Sequence, residues 1–170
     1  MYHAPMTTVA SSPFTRTRQV ATLVGWLALC FAAASTGALV TMGQWFADLN
    51  KPSWNPPSWV FGPVWTLLYI AMAVAAWLVW RTGGWKLRAP ALTAFMVQWL
   101  LNALWTPLFF GLHRVDLALV DIVLMWLAIA ATIAMFYRIS KPAAYLLVPY
   151  LAWVTFATAL NFAIWRLNPT

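Results

Sequence analysis

Long runs without charge alternate with short polar breaks along this chain. No side chain is charged from Gln19 to Ala47, from Pro52 to Trp80, from Ala89 to Gly111 or from Pro142 to Trp165. Between Asp116 and Arg138 only Asp121 interrupts. A helix needs roughly 20 apolar residues to cross a bilayer, and in lipid its backbone must satisfy itself internally. The pattern therefore predicts five spans, at about 19–43, 60–81, 89–111, 116–138 and 143–166. Pro63 falls in the first turn of the second span, where its missing N–H is tolerated. The expected fold is an all-α integral membrane protein, a five-transmembrane-helix bundle with a structured loop between helices 1 and 2. Residues 1–18 read as a flexible N-terminal tail and 19–168 as a single domain. A cleaved signal peptide is the alternative for the first run, but that run exceeds the usual core of about 7–15 residues.

Composition agrees with the spans. The chain is 64% hydrophobic and 8% charged, with a mean hydropathy of +0.76. Soluble domains carry about 25% charged residues, so polar surface is too scarce here to cover a water-exposed globule. The net charge of +7 raises nucleic acid as a partner, and the distribution of the bases excludes it. They are scattered between apolar runs and form no basic face. Arg16, Arg18, Arg81, Lys86, Arg88, Arg138 and Lys141 share one side, while Lys51, Arg114 and Arg166 lie on the other. The positive-inside rule then places the N-terminus in the cytoplasm, with the first loop and the C-terminus opposite. Cys30 is the lone cysteine, which excludes an intramolecular disulfide framework.

The 13 tryptophans exceed what interfacial belts need, and several fall in mid-span. In the third span Gln98, Asn102, Trp105 and Phe109 share a face at i, i+4, i+7 and i+11. In the fifth, Tyr150, Trp153, Ala157 and Asn161 do so at i, i+3, i+7 and i+11. Intramembrane amides serve as hydrogen-bonded contacts between helices or as the few polar groups of an aromatic pocket; one face can do both. Asp121 reads as a structural hydrogen-bonding group, with a proton relay as the alternative. Pro107 and Pro149 each free a carbonyl one turn earlier and kink or widen the bundle. Ala28, Ala32 and Thr36, with Ala33 and Gly37, make small-xxx-small pairs that permit close helix approach. His3 and His113 belong to no metal-ligand cluster. No nucleophile triad, phosphate-cradling loop or paired carboxylate is present, so classical hydrolytic or metal catalysis has no support.

The loop between the first two spans, "WFADLNKPSWNPPSWVF" (45–61), holds too much aromatic surface for a spacer. With the adjoining "GPVW", the segments "LNALWTPLFFG" and "ALVD", and "PYLAWVTFATALNFAIWRLN", it closely resembles the TspO/MBR family of tryptophan-rich sensory and translocator proteins, the peripheral-type benzodiazepine receptors. The resemblance covers about residues 20–168. It implies a five-helix bundle, often a homodimer, whose ligand cavity opens toward the first loop. It also implies protoporphyrin IX or another tetrapyrrole as ligand, with sterol and benzodiazepine-type ligands in some members, and light-dependent porphyrin breakdown in some bacterial ones. By motif match, Trp45 and Trp153 correspond to the tryptophans tied to that breakdown. Phe46, Asn50, Pro52, Trp54, Asn102, Trp105 and Ala157 correspond to ligand-binding positions. Phe46 stands where the family often has tyrosine, which removes a hydroxyl donor. Leu160, Phe162 and Arg166 lack the tyrosine of the sterol pattern, which weighs against cholesterol.

Three functions follow in order. The first is tetrapyrrole binding for sensing or regulation, with the aromatic loop as a lid and the Lys51 ammonium meeting a propionate. The second is photo-oxidative degradation of the bound porphyrin through Trp45 and Trp153. The third is transport of tetrapyrroles or sterols, disfavoured because no internal repeat is visible. No cofactor is required beyond the porphyrin as ligand.

Overall fold

Each of these runs contains most or all of one long helix. The computed structural model describes residues 12–39 and 43–168. Its long helices are α1 (Arg16–Leu39), α3 (Phe61–Trp80), α4 (Gly84–Thr106), α5 (Val115–Tyr137) and α6 (Lys141–Leu167), and a short α2 (Gln44–Asp48) begins the first loop. All five long helices lie in segments apolar and long enough to cross a membrane. The chain is an integral membrane protein.

The helices form a closed ring in the order α1–α3–α6–α5–α4, with α3 also touching α4 across it. Short turns join α3 to α4, α4 to α5 and α5 to α6. One end of the bundle, the N-terminal end, therefore holds the start of α1 and the α3–α4 and α5–α6 turns. The other, the loop end, holds the first loop, the α4–α5 turn and the C-terminus. Asn50 and Asn168 fasten the loop end: the Asn50 N–H donates to Asn168 Oδ1, and Asn168 Nδ2 donates to the Asn50 carbonyl, each at 2.9 Å.

The helix ends depart from expectation where side chains redirect them. Helix α1 starts before residue 19 because Thr15 Oγ1 accepts from the Arg18 N–H at 3.4 Å, a helix cap. Of the tail expected to be flexible, residues 1–11 lie outside the described residues, as do 40–42 at the end of the first predicted span. Residues 12–18 are held. Phe14 stacks on Trp80 at 4.3 Å, Arg18 lies 4.5 Å over Phe14, and Ser12 Oγ donates to the Arg81 carbonyl. Helix α4 starts at Gly84, not at 89, so Pro90 sits inside it. Gly84 has φ +62°, and a Cβ there would lie 3.2 Å from Phe14, so glycine suits both the backbone and the space.

Pro107 does not simply kink its helix. From Pro107 to Gly111 the chain widens into a π turn, a form often found at functional sites, and Leu112 N–H donates to the Pro107 carbonyl at 2.8 Å. That extra residue lets Phe109 bury while Phe110 lines the interior space. Next comes His113 at φ +56°, a left-handed turn residue. Arg114 follows, with both its Nε and Nη2 donating to Asp116, an exposed fork that holds the Arg114 guanidinium's pKa above its ordinary value.

Candidate functional site

At the loop end the ring surrounds a partly open cavity of about 310 Å³ reached by all five long helices. That is the lower end of small-molecule pockets, about 300–1,000 Å³. Space exists because Ala33 and Ala34 of α1 and Ala157 of α6 offer nothing beyond a Cβ. Against them stand aromatic walls: Trp65 and Tyr69 of α3, Trp105 of α4 and Trp153 of α6. Phe46, Asn55 and Pro56 of the loop complete the lining.

One buried polar chain crosses the bundle at this cavity. Tyr69 Oη donates to Asn102 Oδ1 at 3.0 Å, Asn102 Nδ2 donates to Tyr150 Oη at 3.1 Å, and Tyr150 Oη points its hydrogen at Met125 Sδ, 3.4 Å away. Three helices are thereby tied through one amide, and the alternatives posed by the sequence merge: Asn102 is both an interhelical contact and a cavity wall. Asn161 is only the former. It accepts from Trp105 Nε1 at 3.1 Å and donates to the Val115 carbonyl at 3.0 Å, fixing the indole that faces the cavity.

The expected site residues divide. Phe46, Asn102, Trp105, Trp153 and Ala157 line the cavity, while Trp45, Asn50, Pro52 and Trp54 do not. Trp45 instead stacks on His113 at 4.1 Å and meets Phe109 edge-on at 5.8 Å. Asn50 is occupied with Asn168. Trp54 is 47% exposed and rests on the Phe156 ring at 5.8 Å, so Asn55 and Pro56 line the space that a Trp54 lid would have covered. Lys51 Nζ donates to the carbonyls of Ala47 and Leu49 at 3.1 Å. It closes the end of α2, with Phe46 beneath it at 4.6 Å.

Four residues, Asn55, Gln98, Asp121 and Trp153, carry buried side-chain polar atoms with no partner among the described residues. Gln98 is 1% exposed with both amide atoms unpaired, and Asp121 is 6% exposed with Oδ2 unpaired. The structural hydrogen bond expected of Asp121 is not found among the described residues: its Oδ2 is buried in α5 without a donor. The sequence reading also passed over α3. Phe61, Trp65 and Tyr69 recur at i, i+4 and i+8, a periodic aromatic signal that the uniformly apolar span hid.

The fold and site define a class: a five-helix membrane protein with a partly open aromatic cavity beside a fastened loop. The TspO/MBR family model matches residues 26–166. The chain is 47% identical over 143 residues to the tryptophan-rich sensory protein of Cereibacter sphaeroides, covering 84% of this chain and 89% of that protein. It is 45% identical over 157 residues to the tryptophan-rich protein TspO of Chlorobaculum tepidum, covering 89% and 99%. To the human translocator protein it is 48% identical over 127 residues, covering 74% and 75%. The chain belongs to the TspO/MBR family.

Proposed function

We propose that this protein binds planar, lipophilic aromatic molecules, protoporphyrin IX or a related tetrapyrrole above all, in a sensory or regulatory role. The observation that carries this is the cavity: aromatic on most sides, small on α1, and supplied with one hydrogen-bonded Tyr–Asn–Tyr chain. Offset and edge contacts suit a flat π-system, each contributing about 0.5–1.5 kcal/mol beyond area burial. The Asn102 amide and the Tyr69 hydroxyl face the cavity to orient polar edges, with Tyr150 behind them. A full macrocycle exceeds the present volume, so its binding requires the walls or the loop to open. Titration with protoporphyrin IX in the dark, followed by tryptophan quenching, tests the reading. Saturable quenching at micromolar ligand is expected; its absence removes the proposal.

A second reading, light-dependent porphyrin breakdown, draws on Trp153, whose indole faces the cavity with Nε1 buried and unpaired. Trp45 stands two rings away, packed on Phe109, which in turn stacks on the cavity-lining Trp105. Under illumination, Trp153→Phe should slow porphyrin loss more than Trp45→Phe. Equal wild-type rates in both variants end this reading.

A further inference from the structure

A second concavity lies on the outer, lipid-facing side of the wall between α3 and α6. Val64, Leu67 and Leu68 of α3 and Pro149, Ala152 and Phe156 of α6 line it, together with Trp153. Trp153 also lines the interior cavity, so one indole separates the bilayer from the ligand space. Resting on the reading that the cavity binds a lipophilic aromatic ligand, the geometry points to this groove as the site where that ligand, dissolved in the bilayer, docks before passing Trp153.

Three features of the wall support passage here. First, Trp153 is not tied down. Trp77, Trp99, Trp105 and Trp126 each donate Nε1 to an acceptor, whereas Trp153 Nε1 is buried with no partner among the described residues. No hydrogen bond resists a change of its rotamer. Second, Pro149 lies one turn before Trp153 and supplies no N–H to the Tyr145 carbonyl, so α6 is weakened where the wall must yield. Third, the groove is open to lipid, with Leu67 68% exposed. The aqueous approach passes the loop: Phe46, Asn55 and Pro56 line the cavity from it, and the Asn50–Asn168 pair fastens that loop to the end of α6. A ligand that partitions into hydrocarbon meets the groove at membrane depth, and an aromatic ligand finds Trp153 and Phe156 there to stack on.

The test uses the full chain in phosphatidylcholine nanodiscs, with protoporphyrin IX as probe and stopped-flow tryptophan quenching as readout. Ala152→Phe fills the groove without touching the cavity, and should lower the association and dissociation rates together, each about tenfold, with Kd unchanged. Asn168→Ala loosens the loop and should leave both rates as in wild type. If Asn168→Ala accelerates binding while Ala152→Phe changes neither rate, entry is through the loop and the proposal falls. Unchanged rates in both variants also overturn it; a groove buried by a second copy would show as a dimer fraction altered by Ala152→Phe, and overturns it too. A ligand-independent arm separates this proposal from the binding reading. With phosphatidylcholine brominated on its acyl chains, the emission lost in Trp153→Phe should be strongly quenched in wild type and protected in Ala152→Phe. If porphyrin fails to bind but bromine quenches Trp153, the binding reading falls while the groove's access to lipid stands. If bromine leaves Trp153 unquenched, the groove is not a route.

Discussion

The two ends of the bundle use the same kind of side chain to opposite ends. At the N-terminal end Trp26 meets Phe95 edge-on at 5.5 Å, Phe95 stacks near-parallel to Phe136 at 6.1 Å, and Phe14 stacks on Trp80 at 4.3 Å. These rings are answered by one another and fill that end of the interior. At the loop end Trp65, Trp105 and Trp153 also have aromatic neighbours, but across from them stand Ala33, Ala34 and Ala157. The space left by those alanines is the cavity. What opens a cavity in this tryptophan-rich membrane protein is thus not its tryptophans but the small residues on the facing helices.

This contrast predicts effects that separate stability from binding. The largest loss of stability should come from Phe95→Ala, which opens a void in the ring-filled end and costs about 3–5 kcal/mol. Thermal unfolding in detergent should show a large fall in Tm, while the folded fraction keeps its affinity for protoporphyrin IX. Asn102→Ala should rank next. It strands the Tyr69 hydroxyl and leaves the Tyr150 hydroxyl only its Met125 contact, a buried unpaired group costing about 1–3 kcal/mol, and it should lower both Tm and affinity. Parallel behaviour of these two variants would erase the distinction between the ends. Asn168→Ala removes its two Nδ2 donations and the acceptor of the Asn50 N–H at an exposed site. A loss of about 1 kcal/mol is expected, visible as faster proteolysis of the 45–59 loop. Trp54→Ala should be smallest, trimming one half-exposed aromatic contact with little change in affinity. A large affinity loss there would return Trp54 to the site.

The sequence made the spans legible because charge is so costly in lipid that its absence marks each helix. It also exposed the inward faces of α4 and α6, since Asn102 and Asn161 stand out against an apolar background. The inward face of α3 was hidden for the complementary reason: Phe61, Trp65 and Tyr69 lie among equally apolar neighbours. The path of the loop was not legible either. Whether Trp54 or Pro56 lines the cavity depends on the Asn50–Asn168 pair, a contact between residues 118 apart in sequence. Helix α4 begins early because Phe14 and Gly84 fit together across the N-terminal end, a match no local pattern records.

The central claim is that the alanine-lined space at the loop end receives the ligand. Ala157→Phe fills that space from α6 and leaves the Phe95–Phe136 stack untouched. In a dark titration with protoporphyrin IX, saturable quenching should be present in wild type and lost in Ala157→Phe at micromolar ligand, with the variant still folded by circular dichroism. Saturable quenching of equal depth and midpoint in both proteins would contradict the account.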